Sequence, residues 1–266
     1  MMPPPISQSC ILLVGCGKMG GALLNGWTTK HPNLSITVVD PASSDAQYRA
    51  ASDIHDASFD AVILAVKPQV MTQTVQEISA LLSPTTLIIS IAAGKTIAYF
   101  ERLTRTSQPI IRVMPNTPAA IGYGMSVLCS NAHVTTFQKE LASLLLSSVG
   151  IAEWLDDEDL MDAVTAVSGS GPAYVFHLIE ALSKAGENVG LPPKLAMTLA
   201  RQTVIGASAL CSVDVTTSAE TLRQNVTSPG GTTEAALKML MDDAHGLTEI
   251  MTRAVLAARD RGRELA

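Results

Sequence analysis

The segment Val226-Thr227-Ser228-Pro229-Gly230-Gly231-Thr232-Thr233 concentrates groups that can hold an anion, and it carries no acid, base or metal ligand. It stands just ahead of an apolar, alanine-rich helical pattern from Glu234 to Met241. A Gly-Gly pair lets the backbone turn N–H groups outward, and a helix N-terminus favours negative charge. The hydroxyls of Ser228, Thr232 and Thr233 add neutral donors to the same bend. A small carboxylate with a second hydrogen-bonding group one ring away suits that set. The same residues also suit a tight turn before an N-capped helix, so the rest of the chain must decide between the two.

A second constellation lies near the start. Gly15-Cys16-Gly17-Lys18-Met19-Gly20 follows the apolar run Ile11 to Val14 and opens a helical pattern through Thr29. An acid, Asp40, ends the next apolar run about 20 residues on. Gly15 permits the tight turn, Gly17 admits pyrophosphate to the backbone, and Gly20 lets helix pack on strand. The four features together point to a bound dinucleotide. A carboxylate at Asp40 hydrogen-bonds a ribose 2′-OH and repels a 2′-phosphate, and no Lys or Arg lies between Pro41 and Tyr48. NADH is therefore favoured modestly over NADPH, although Ser43 and Ser44 could donate to a phosphate.

These groups need a frame. Strand patterns at Ile36–Asp40, Ala61–Val66, Thr86–Ile91 and Pro109–Val113 alternate with helical patterns near Gln69–Leu82 and Thr96–Leu103. Such alternation predicts an α/β fold with a Rossmann-type, doubly wound parallel sheet. Two more loops fall at carboxyl ends of strands, Ala65-Val66-Lys67-Pro68 and Met114-Pro115-Asn116-Thr117-Pro118. The Asn116 amide suits ribose or carboxamide. Lys67 suits phosphate or ribose, and equally a solvated surface. Met125–Cys129 and Ile151–Leu155 finish the sheet, and every later pattern is helical. The acidic run Asp156 to Asp159 reads as a helix start, where acids complement the macrodipole, rather than a metal cluster. The boundary is placed there, giving a dinucleotide-binding domain over 1–155 and an all-helical dimerisation and substrate domain over 156–266.

Ser168-Gly169-Ser170-Gly171-Pro172 is a strong start signal for a helix from Ala173 to about Asn188. Its apolar residues wrap most of the way round, and the next helix, Lys194 to Cys211, carries only Lys194 and Arg201 as charges. Helices apolar on nearly all faces must be covered all round, which predicts an obligate homodimer. Net charge of −6 argues against nucleic acid or an anionic membrane as partner. The four cysteines are scattered, without metal or disulfide spacing, which fits a reducing cytoplasm. Leu13-Val14-Gly15-Cys16 mimics a lipoprotein cleavage box, but no Lys or Arg precedes it and its apolar run is too short.

Taken in order, the glycine turn, Ala65 to Gln69, Arg112 to Pro118, Ser168 to Tyr174 and Val226 to Thr233 resemble pyrroline-5-carboxylate reductases over nearly the whole chain. The resemblance implies hydride transfer from NADH or NADPH to the cyclic imine 1-pyrroline-5-carboxylate, giving L-proline. It implies that Gly15, Cys16, Gly17, Lys18, Met19 and Gly20 hold pyrophosphate, and that Ala65, Val66, Lys67, Ala93 and Asn116 line ribose and nicotinamide. The Ser228 hydroxyl and the N–H groups around Gly230, Gly231 and Thr232 would take the substrate carboxylate, with Thr233 on the imine nitrogen. Dimers, or rings of five dimers with active sites completed across the dimer, are also implied. Asp40 and the short segment after it depart from members that prefer NADPH. A hydroxyacid dehydrogenase of similar architecture needs a lysine four residues past a glycine on the interdomain helix. Counting from Gly171 gives Val175.

Overall fold

The computed structural model describes residues 6–55 and 57–265. One seven-stranded sheet has the order β2-β1-β3-β4-β5-β6-β7. Its parallel part comprises β1 (Cys10–Val14), β2 (Ser35–Val39), β3 (Ala61–Leu64), β4 (Leu87–Ser90) and β5 (Ile110–Met114). The last two strands, β6 (Gly124–Ser130) and β7 (Gly150–Trp154), do finish the sheet, but β6 runs antiparallel to β5. Strand order reverses between β1 and β3, which makes a crevice at their carboxyl ends.

Alternation along β1 shows why the runs are continuously apolar. Ile11 and Leu13 join a core with Leu23 and Trp27 of α1 (Lys18–Lys30) and Leu141 and Leu145 of α4 (Thr136–Ser147). Leu12 and Val14 join the opposite core, with Met71 and Val75 of α2 (Met71–Glu77) and Phe100 of α3 (Ile97–Leu103). Each fully buried side chain of this kind contributes about 1.5–3 kcal/mol. The Trp27 indole N–H donates to the Leu145 carbonyl at 2.8 Å, so its burial leaves no polar group unpaired.

Among the described residues, the connection between β2 and β3 forms a short 3-10 turn, Ala51–Asp53, where a doubly wound fold usually has a helix.

By packing, the chain forms two compact units that meet at Ser170. The first unit runs through Ser170 and takes back the chain from Ala258; the second is Gly171–Ala257. After the acidic run, Met161 at the start of α5 (Met161–Val164) is fully buried in the core of α2 and α3. A π-turn, Thr165–Gly169, then leads into α6 (Gly171–Asn188), so Ser168 to Gly171 continues a helical path. Pro172 still sits in the first turn of α6, where its missing N–H costs nothing.

In the second unit α6 packs on α7 (Pro193–Val213) through small residues, with Ser183, Ala196 and Ala200 buried. A Cβ on Gly186 would approach the Ala196 Cβ to 3.2 Å. The two further helices α8 (Ala219–Asn225) and α9 (Thr232–Leu240) contain no buried residue. Phe176 is 62% exposed and Ile205 53%, and together with Met197 they border a groove of about 420 Å³. Helix α10 (Leu247–Leu265) closes the chain.

Candidate active site

The glycine turn has the geometry its spacing implies. Gly15 adopts φ +93°, and a Cβ there would lie 2.8 Å from the Ala65 carbonyl oxygen. A Cβ on Gly20 would stand 2.2 Å from the Gly15 oxygen, which forces glycine where α1 crosses the end of β1. Around Gly17 nothing lies within 4 Å, so the middle of the turn is open. Gly17 caps α1 without any side-chain partner, and the first N–H groups of the helix are left for a ligand. Lys18 and Lys67 are exposed and have no acidic partner among the described residues. The Lys95 ammonium lies 4.7 Å from the Tyr99 ring centre, on the loop after β4. An acidic protein thus presents cations beside the crevice at the carboxyl ends of β1 and β3.

Ala65 and Val66 continue from β3 directly beneath Gly15. Ala93 is exposed, and with Gly94, Pro68, Gln69, Thr165 and Ser170 it borders a cavity of about 400 Å³. A larger cavity, about 530 Å³ between Phe59, Pro84 and Phe137, lies at the amino ends of β3 to β5. Volume is a poor guide here, because ligands of such sheets bind at the carboxyl ends.

Asn116 is not a free amide. Its Nδ2 donates to the Ser168 carbonyl and hydroxyl, both at 3.3 Å, and its Oδ1 accepts from the Met125 N–H at 2.8 Å. It joins the end of β5 to the π-turn. Gly169 shares that junction, where a Cβ would meet the Met114 methyl at 2.4 Å.

Asp40 is also engaged. Its Oδ2 accepts from the Cys16 N–H at 2.7 Å, and its Oδ1 accepts from Ala42 and Ser43, both at 2.8 Å. Burial pushes its carboxyl up. The three N–H groups and the nearby Arg49 charge more than reverse that, holding it below the usual carboxylate range.

Sequence reasoning missed Arg112. On β5 its side chain is 6% exposed, with Nη1 3.1 Å from Glu158 Oε1 and Nη2 3.5 Å from Asp162 Oδ1. Glu158 also accepts the Ile97 N–H at 2.9 Å, at the start of α3. The acidic run therefore does more than open a helix. A lone arginine inside the apolar run Ile110 to Met114 was the available signal, since a buried cation requires partners. Neighbouring Cys129 is buried, and burial, then the Glu158 charge, push its thiol pKa up.

In the second unit the hydroxylated bend starts α9 with Gly231 as N-cap and Gly230 at φ +70°. Two of the N–H groups expected to bind substrate are already used. Gly231 donates to the Ser228 carbonyl at 3.0 Å and Gly230 to Glu234 Oε2 at 2.7 Å. The N–H groups of Thr232 and Thr233 and the Ser228 hydroxyl have no partner among the described residues. The unspent donors are thus those of the first turn of α9 and the Ser228 hydroxyl, a narrower set than the glycine pair suggested. A side chain at Gly231 would place its Cβ 2.5 Å from the Ser228 hydroxyl oxygen.

Among the described residues no helix is long and apolar enough to cross a membrane. A family model for pyrroline-5-carboxylate reductase dimerisation matches residues 158–265, and one for NADP oxidoreductase, coenzyme F420-dependent, matches residues 10–94. The pyrroline-5-carboxylate reductase of Pseudomonas aeruginosa is 43% identical over 98% of each chain. That of Arabidopsis thaliana is 35% identical over 100% of this chain and 99% of its own. Among solved structures, the Coxiella burnetii enzyme superposes with a TM-score of 0.87 at 34% identity, covering 97% of this chain and 99% of the other. The Plasmodium falciparum pyrroline carboxylate reductase, with NADP bound, gives 0.82 at 29% identity over 98% and 99%. Agreement along the full length, in both the glycine-turn unit and the helical one, places the chain in the pyrroline-5-carboxylate reductase family.

Proposed function

We propose that this chain reduces 1-pyrroline-5-carboxylate to L-proline with NADH or NADPH, the final step of proline biosynthesis. One observation carries the reading: a single chain holds both an open glycine turn and a hydroxyl-rich helix start with unspent N–H groups. The free space at Gly17 and the unpaired N–H groups of α1 fit a pyrophosphate. When bound, the nicotinamide supplies the hydride.

The chain's own residues bind and orient. Gly15 to Gly20, with Lys18, fix the pyrophosphate, while Ala65, Val66, Lys67 and Ala93 border ribose and nicotinamide. Asn116 contributes by holding Ser168 in place. The Ser228 hydroxyl and the N–H groups of Thr232 and Thr233 receive the substrate carboxylate, backed by the positive end of α9. The Thr233 hydroxyl donates to the imine nitrogen or accepts from its protonated form. An imine is protonated far more easily than a ketone, so water can provide the proton. The bend's lack of Lys, His or carboxylic acid in donor position is then expected, and catalysis rests on positioning.

The dimerisation family and the bare apolar faces of α6 and α7 support a homodimer, and the family resemblance extends this to a ring of five dimers. Initial rates of NADH and NADPH oxidation, each with pyrroline-5-carboxylate and with its six-membered homologue, test the reading. Turnover of the five-membered ring with L-proline as product is expected. No oxidation of either nicotinamide would refute it.

A further inference from the structure

Arg112 reaches two borders of one cavity. Glu158 Oε1 accepts from its Nη1 at 3.1 Å and, with the same oxygen, from the Ile97 N–H at 2.9 Å. Ile97 begins α3, so this carboxylate fixes one end of the loop between β4 and α3. The other end is fixed at Ala92, whose N–H donates to the Ser90 hydroxyl at 3.3 Å. Between those anchors the N–H groups of Ala93, Gly94, Lys95 and Thr96 have no partner among the described residues, and Gly94 turns at φ +71°. Where Ala93 and Gly94 stand therefore depends on the two ends.

The second nitrogen, Nη2, lies 3.5 Å from Asp162 Oδ1. Asp162 and Gly262 of α10 border the same cavity of about 400 Å³ as Ala93 and Gly94. They also face each other, since a Cβ on Gly262 would stand 3.5 Å from Asp162 Oδ1. One buried guanidinium thus ties the loop, through Glu158, to the wall made by α5 and α10. Stability alone does not call for this arrangement, because apolar residues of similar volume often hold a core as well as a buried ion pair does. What they cannot supply is an oxygen for the Ile97 N–H, and the charged hydrogen bond from Arg112 keeps that oxygen in one place.

Resting on the dinucleotide reading above, we propose that Glu158, gripped by Arg112, is a positioning residue. It sets where Ala93 and Gly94 stand and so seats the nicotinamide end of the cofactor without touching it.

ADP-ribose carries the adenosine, pyrophosphate and second ribose of the cofactor but no nicotinamide ring. Calorimetric titration of the intact protein with NADH and with ADP-ribose therefore separates the two ends. Glu158→Ala should weaken NADH roughly three- to tenfold, the range for one lost hydrogen bond, and leave ADP-ribose within about twofold. Hydride transfer in a single turnover should slow roughly ten- to a hundredfold, because a small misplacement of the ring is costly. Glu158→Gln keeps an oxygen for Ile97 and should recover most of both losses. The double variant Arg112→Met with Glu158→Leu strands no cation and leaves Asp162 at the cavity edge, so it should fold while keeping the selective loss of NADH. Equal weakening of NADH and ADP-ribose would reduce Glu158 to a brace of the whole fold and overturn the proposal. So would a double variant that regains NADH affinity, or a Gln variant no better than the Ala one. A parent protein that binds neither ligand would refute the dinucleotide reading itself, and this proposal with it. A parent that binds both, with variants that lose both alike, leaves that reading standing.

Discussion

The glycine turn and the hydroxylated bend are both loops that open a helix, yet they are supported differently. The turn stands on β1 and β3, whose central residues have no exposure, and glycine Cβ positions there collide with neighbouring backbone. The bend stands on α9, which contributes no buried residue, and its local shape comes from two hydrogen bonds, Gly231 to Ser228 and Gly230 to Glu234. One half of the chemistry is therefore built by the chain's own core. The other sits on a helix that the chain's own core leaves uncovered. Cofactor binding should survive conditions that abolish turnover.

The sharpest way to break the turn is Gly20→Val. Its Cβ would stand 2.2 Å from the Gly15 carbonyl, a backbone atom with no room to retreat. Cofactor affinity should fall more than about a hundredfold, since both the turn and the seating of α1 shift. Fluorescence titration with NADPH reads this directly. Affinity within a few-fold of the parent would show that the turn is not the phosphate site.

Arg112→Met strikes the same rigid half from below. It leaves Glu158 and Asp162 without their buried cation and should cost about 3–5 kcal/mol in urea unfolding. Replacing all three by apolar residues should recover much of that loss, which separates a charge effect from lost packing.

Legibility in the sequence follows the same division. β1 to β5 and the glycine turn were readable because apolar runs, turn residues and one acid recur at short range. Arg112, Glu158 and Asp162 were not, because their pairing spans 46 residues between Arg112 and Glu158 and depends on tertiary packing. Asn116 and Asp40 were read as ligand contacts from their residue types, but the structure gives most of their hydrogen-bonding capacity to backbone. The bend was recognised as a donor cluster, whereas which N–H groups stay free depended on how the Gly-Gly turn closed.

Thr233→Ala probes the less supported half. Turnover should fall roughly ten- to a thousandfold, the range for one positioned hydrogen bond or proton-transfer group. Cofactor affinity should stay within about twofold, because α9 belongs to the other unit. Unchanged turnover would remove Thr233 from the reacting centre. Loss of cofactor affinity would collapse the distinction between turn and bend.

The smallest effect concerns Glu234. Its carboxylate holds the Gly230 N–H at 2.7 Å, so it braces the bend, yet it brings negative charge to a place that must admit a carboxylate. Glu234→Gln keeps an acceptor of the same shape and removes the charge. KM for pyrroline-5-carboxylate should drop about two- to fivefold with kcat unchanged, and the gain should fade at high ionic strength as exposed charges are screened. Glu234→Ala removes the brace as well and should lower kcat instead. A Gln variant that loses kcat like the Ala variant would mean that Glu234 works through its charge on the reacting ring. The bend would then be more than a passive cradle.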